Sequence, residues 1–255
     1  MILMAEQEAP KAEVAATKEQ AAPAPAAPAK PKRARAAKPA TEPSAERQQM
    51  STSPTTRMLF DRYDYGTVEV RDLSLKNYIN LKPLGYPSTY RRLSQRSFSK
   101  ANLNIVERLC NSLMRGGTGG KIGGHLIRTK GRLQGKKLKV MRVVQDAFEI
   151  ISKQTGKNPL QILVFALENA APIEDTTRVV YGGIKSNVAV DVSASRRLDI
   201  AIRNIAMSTI KGAFASRRSL AEALASELIL AANMDPNSYA IKSKNEIERM
   251  ARSAK

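Results

Sequence analysis

From residue 101 onward, apolar side chains recur every three or four positions, the period of a helix with one buried face. Leu103, Val106, Leu109, Cys110 and Leu113 predict a helix over about 102–114. Leu138, Met141, Val144, Phe148 and Ile151 predict a second over about 136–155, stopped near Gly156. Asn158 then offers a side-chain cap and Pro159 a preset first turn for a third helix, to about 171. Its run LQILVFAL is apolar nearly all round, the mark of a central core helix. After Pro172 the period changes. TTRVVY (176–181) and NVAVDV (187–192) are β-branched and partly alternating, with Gly182-Gly183 between them, which predicts a hairpin; Ile184 to Ser186 would lengthen its loop. Helical spacing returns over about 195–215. Ser219 with Glu222 forms a capping box for a fifth helix, 219–232, and Asp235-Pro236 opens a sixth that reaches about 253. The expectation is a mainly α, six-helix domain over 101–255, with a protruding β-hairpin between the third and fourth helices.

The first hundred residues lack such a period. Residues 1–53 are rich in Ala, Pro, Lys, Glu, Gln and Thr. They hold too little branched or aromatic surface to offset the entropy of ordering, so they read as a disordered tail. Residues 54–100 are broken by Pro83, Gly85 and Pro87, and interleave Tyr78, Tyr86, Tyr90 and Phe98 with Lys76, Lys82, Arg91, Arg92, Arg96 and Lys100. An extended basic arm of this kind can lie along phosphates and stack on unpaired bases. The same tyrosines can equally pack a loop onto the body.

Charge sharpens the picture. The 255 residues carry 42 Lys+Arg against 23 Asp+Glu, a net +19. The body holds nearly all of that excess. Between 76 and 142 there are sixteen basic residues and one acid, Glu107. A solvated helix face normally alternates sign, and this segment does not. Its counter-charge is a polyanion, and nucleic acid is the commonest inside a cell.

Enzyme chemistry finds little support. One cysteine and one histidine preclude a disulfide within the chain, a Cys pair for zinc and a multi-His site, so no metal or other cofactor is expected. The stretch GGTGGKIGGHLIRTKGRLQG (116–135) is not a Walker loop: Ile122 follows Gly120-Lys121, and Arg115 stands where the first glycine belongs. Nothing approaches the roughly 18 apolar residues of a membrane span.

GKKLKVMRVVQDA (135–147) runs Gly-Lys-Lys, five residues, Val143-Val144, two residues and Ala147. This resembles the signature of the universal small-subunit ribosomal protein seven family, in its archaeal/eukaryotic form. VEVRDLSLKNYINL (68–81), TGKNPLQILVFALENAAPIEDTTRVVYGG (155–183), VAVDVSASRRLDIAIRNIA (188–206) and SLAEALASELILAANMDPNSYAIKSKNEIERMA (219–251) extend the resemblance over about 57–255. It implies a cytoplasmic ribosomal protein on the 3′ major, or head, domain of small-subunit rRNA. Such a protein seeds head assembly and borders the tRNA exit site and the messenger path, beside other head and platform proteins, and no homo-oligomer is expected. On this footing the expected rRNA ligands are Lys76, Lys82, Arg91, Arg92, Arg96, Lys100, Arg115, Lys121, Lys136, Lys137, Lys139, Arg196, Arg197, Arg217 and Arg218. Arg178, Tyr181, Gly182, Gly183 and Lys185 of the hairpin, with C-terminal Arg249, Arg252 and Lys255, are expected to face tRNA and messenger. The competing reading is a free RNA- or DNA-binding regulator, suggested by the short SRRS joint (216–219) between the fourth and fifth helices.

Overall fold

The computed structural model describes residues 58–89, 98–116, 118–122, 125–128 and 131–254; within 118–128, Ile127 is the one side chain described. The chain divides into two units, Met1–Ser51 and Thr52–Lys255. The first falls outside the described residues, as do Arg91, Arg92, Arg96 and Lys255.

Seven α-helices and two two-stranded sheets are described, in the order α1 Leu73–Lys76, α2 Ile105–Arg115, β1 Thr118–Ile122, β2 His125–Arg128, α3 Lys137–Thr155, α4 Pro159–Ala170, β3 Glu174–Tyr181, β4 Ile184–Asp191, α5 Ala194–Ala213, α6 Leu220–Ala232 and α7 Tyr239–Ser253. The expected count of six helices is therefore corrected to seven. The extra one, α1, is a single turn capped by Asp72, whose side chain accepts from the Ser74 N–H. It was hidden because four residues are too few to show a period. The glycine-rich stretch, in which the sequence pattern shows no strand, contains the antiparallel pair β1–β2, and Ile127 anchors it in the core at 2% exposure.

Local chemistry sets most helix ends. Asn104 and Asn158 cap α2 and α4 by accepting from Val106 N and Leu160 N. Gly156 closes α3 in the left-handed region, at φ 64°. Ser219 and Glu222 form the reciprocal capping box of α6. The last helix starts later than Asp235-Pro236 suggested: Ser238 caps it by accepting from Ile241 N, and the Asp235 carbonyl accepts from Ser238 N in the turn before it.

Leu160, Leu163, Val164, Ala166 and Leu167 of α4 are fully buried, as an all-round apolar helix requires. Helix α6 packs on α3, α4 and α5, while α2 packs on α3 and α5. The described part of the arm packs as well: Leu59, Phe60, Tyr65, Leu75 and Ile79 join the core. Phe60 and Tyr63 both meet Phe148 edge-on, at centroid distances of 6.4 and 6.1 Å. Asn104 ties the arm down further, donating to the Lys82 carbonyl at 2.8 Å and to the Tyr65 hydroxyl at 3.2 Å.

The second hairpin pairs Glu174 with Asp191 at its base and Tyr181 with Ile184 at its tip. Its turn is Gly182-Gly183 alone, at φ 56° and 81°. Positive φ at both positions is the two-residue type I′ turn whose twist suits a hairpin. Ile184 to Ser186 therefore belong to β4 and do not lengthen the loop. Outward from Thr177 the ribbon is exposed on nearly every residue.

Candidate nucleic-acid interface

Glu107, the one acid of the basic segment, lies under the start of α3 at 2% exposure. Its carboxylate accepts from Lys137 Nζ at 2.6 Å and from the Thr89 N–H and hydroxyl at 3.1 and 3.2 Å. Lys137 thus neutralises an internal charge. Its neighbours differ: Lys136, Lys139 and Arg142 are exposed, and no carboxylate pairs with them among the described residues. Lys136 is itself the N-cap residue of α3, with no side-chain hydrogen bond and no acid in the first turn. A helix start normally attracts negative charge, and here it is ringed with cations. Backbone N–H groups at a helix start and exposed lysines are the kind of groups that bind anions.

A second basic region lies between α2 and α5, where Lys100, Arg108, Arg115, Asp199 and Arg203 line a groove of about 270 Å³. Asp199 accepts from Arg108 at 2.9 Å and from Lys100 at 3.5 Å. Arg115 and Arg203 are exposed, and neither has a carboxylate partner among the described residues.

At the start of α5 the two adjacent arginines divide their labour. Arg196 is exposed and pairs with Asp175 at the hairpin base, 3.1 Å away. Arg197 turns inward. It donates to Asp72 at 2.9 Å, to the Pro172 carbonyl at 3.2 Å and to the Ser74 hydroxyl. One guanidinium therefore holds α1 and the segment before β3 against α5. Burial alone would raise the Asp72 carboxyl, but the Ser74 hydrogen bonds and the Arg197 charge outweigh it and hold it below the usual carboxylate range.

The remaining expected ligands are scattered. Lys76 and Lys82 are exposed on the packed arm, and Arg217 and Arg218 on the α5–α6 turn. The backbone of Lys121 lies in β1, its side chain outside the described set. On the hairpin, strand alternation separates two faces. By register Arg178 and Lys185 share one, and Val179, Tyr181, Ile184, Val188 and Val190 share the other. Tyr181 is 87% exposed. Arg249 and Arg252 are exposed on α7, and Arg252 lines a shallow cleft with Ile173, Glu174 and Glu248.

The exposed cations that the sequence reading did not single out include Arg132, Arg142 and Arg203. The helical period held the signal for two of them. Arg142 stands three residues beyond Lys139 and Arg203 seven beyond Arg196, each on the same face as its predecessor. For Arg132, in the irregular run before α3, no period exists.

A largely helical body with a large excess of Lys and Arg, much of it on exposed side chains, has the construction of a polyanion-binding protein. Comparison with known proteins makes the class specific. Residues 78–255 match the family described as Ribosomal protein S7p/S5e. The chain is also 45% identical, over 198 residues, to the small ribosomal subunit protein uS7 of Cenarchaeum symbiosum (strain A), a match that covers 78% of this chain and 96% of that protein. The chain belongs to the Ribosomal protein S7p/S5e family, and the archaeal relative agrees with the archaeal/eukaryotic form. Members of this family are structural ribosomal proteins, not enzymes.

Proposed function

We propose that this chain is a structural component of the small ribosomal subunit that binds the 3′ major domain of its rRNA and seeds assembly of the head. The observation that carries the reading is the match to an archaeal uS7 along 96% of that protein's length. The cationic surface supplies the mechanism. Phosphates are neutralised by Lys136, Lys139, Arg115 and Lys100, with Lys76, Lys82, Arg196, Arg217 and Arg218 extending the contact and Arg91, Arg92, Arg96 and Lys121 belonging to the same basic segment. Lys137 and Arg197 contribute by fixing the elements that carry these ligands. Because side chains cannot reach base edges in the deep groove of an A-form helix, selection comes from the path of the folded RNA backbone.

The ribbon has a separate task. Its tip, Tyr181-Gly182-Gly183 with Arg178 and Lys185, and the α7 end with Arg249, Arg252 and Lys255, border the exit-site tRNA and the messenger, beside neighbouring head and platform proteins. The chain acts in the cytoplasm as one copy per particle. Sedimentation of a cell lysate tests the core of this: the protein should co-migrate with small subunits and crosslink to head-domain rRNA within them. A protein found only at the top of the gradient would overturn the reading.

A further inference from the structure

Phe98 is 80% exposed and sits in the left-handed region at φ 57°. Each property is costly for a large aromatic. Leaving the ring in water forgoes the gain from burying it, and a positive φ is unfavourable for any bulky side chain. No ring stacking or cation–π contact within the described chain offsets either cost. The residue is nonetheless held in place. Its carbonyl accepts from Ala101 N at 3.0 Å, starting the 3-10 turn Ser99–Asn102. Two residues on, Lys100 lines the α2–α5 groove. That groove holds four cations, Lys100, Arg108, Arg115 and Arg203, against the single carboxylate of Asp199. Asn111 and Ser112 add neutral hydrogen-bonding groups to its lining.

We propose that Phe98 and this groove form a clamp for one unpaired nucleotide, the base stacking on the Phe98 ring and the adjoining phosphate held by Lys100, Arg115 and Arg203. The proposal rests on the RNA-binding reading and narrows it to a single-stranded nucleotide at a stated place. An exposed flat ring two residues from a groove whose cations outnumber its one carboxylate suits a base with its phosphate, because every base offers a π-face whatever its sequence. A duplex cannot use such a site, since its bases are already stacked. An acidic peptide would satisfy the arginines but leave the ring uncovered.

The natural chain has no tryptophan, so the full-length Phe98→Trp variant carries a single indole reporter at the site. Single-stranded oligoadenylate of ten nucleotides should quench its emission by more than half, because a stacked base quenches indole. A blunt RNA duplex of equal charge, heparin and polyglutamate should leave it nearly unchanged. Adding Arg203→Ala and Arg115→Ala should shift the quenching midpoint to about tenfold higher oligonucleotide. In the natural background, Phe98→Leu should weaken oligoadenylate binding about tenfold, Phe98→Tyr should restore it, and duplex binding should not move. Anisotropy of a labelled head-domain transcript runs alongside as the control. Retained transcript binding without quenching, or equal quenching by heparin or polyglutamate, would overturn the clamp and leave the RNA-binding reading intact. Loss of transcript binding by the natural chain would defeat both.

Discussion

Glu107 and Lys137 make the clearest case at the scale of single residues. A carboxylate 3% exposed faces a lysine one quarter exposed. Removing the lysine strands a buried charge, so Lys137→Ala should cost about 3 kcal/mol in urea unfolding, the low end for a broken buried pair because the lysine is one quarter exposed. Lys139→Ala should cost almost nothing. Asp72 predicts a pH dependence. Its folded pKa lies below the ordinary value of 3.8, so its stabilisation is present above that range and is lost as pH falls through the folded value. The stability gap between the natural chain and Asp72→Asn should therefore be full at pH 6 and shrink on acidification below pH 4. Cys110 has the opposite shift: burial pushes its thiol up to about 12. The unfolded chain ionises first as pH rises, so this contribution is intact below about pH 8.5 and erodes from there to pH 12. At neutral pH the folded chain should react with iodoacetamide at least about a hundredfold more slowly than the urea-unfolded chain. Gly116 is fixed by space, not by φ. A Cβ there would fall 1.6 Å from Ile210 Cδ1 and 3.2 Å from the Leu113 carbonyl; because the Ile210 end can turn, Gly116→Ala should destabilise by about 1 kcal/mol, the low end of overpacking, at the α2–α5 junction.

The elements differ in how much they owe to one another. Beyond its base the β3–β4 ribbon covers little of the body, so deleting 176–189 should leave the urea midpoint of the free protein nearly unchanged. Asp175 and Val190 are register partners, and a two-glycine turn suffices to rejoin them. By the proposed function, the shortened protein should still enter small subunits, with the defect appearing in exit-site tRNA. Failure to bind head-domain RNA would reassign the hairpin to assembly. The ribbon, α4 and α6 were legible in the sequence because their signals are local. Two glycines, a proline behind an asparagine and a capping box each act within four residues. Helix α1 and the β1–β2 pair were not. Their stability comes from packing against distant parts of the chain: Arg197 docks α1, and the strands are held where Ile127 of β2 enters the core. No periodicity announces a partner far along the chain. The same reason separates Lys136 from Lys137: the sequence names two lysines, and only the position of Glu107 shows which one turns inward.

At the scale of the molecule, the net +19 makes affinity a matter of counterion release. Each phosphate contact contributes about −0.7 to −0.9 to the slope of log affinity against log salt. Replacing Lys136 and Lys139 together with Ala should flatten that slope by about 1.5 for head-domain RNA, with the fold intact by circular dichroism. An unchanged slope would remove both from the phosphate ligands. Removing residues 1–50 should leave stability and RNA affinity nearly as they are, since the family match begins at residue 78; a large loss of affinity would give the tail a binding role.

The Arg197 clamp also sets an order of events at birth. Asp72 precedes its partner by 125 residues, which at 5–20 residues per second is on the order of ten seconds of synthesis. For that interval the nascent chain exposes its most cationic stretch while the bolt that docks α1 has not been made. Any stray transcript nearby competes for it then, and the window closes only when α5 is complete.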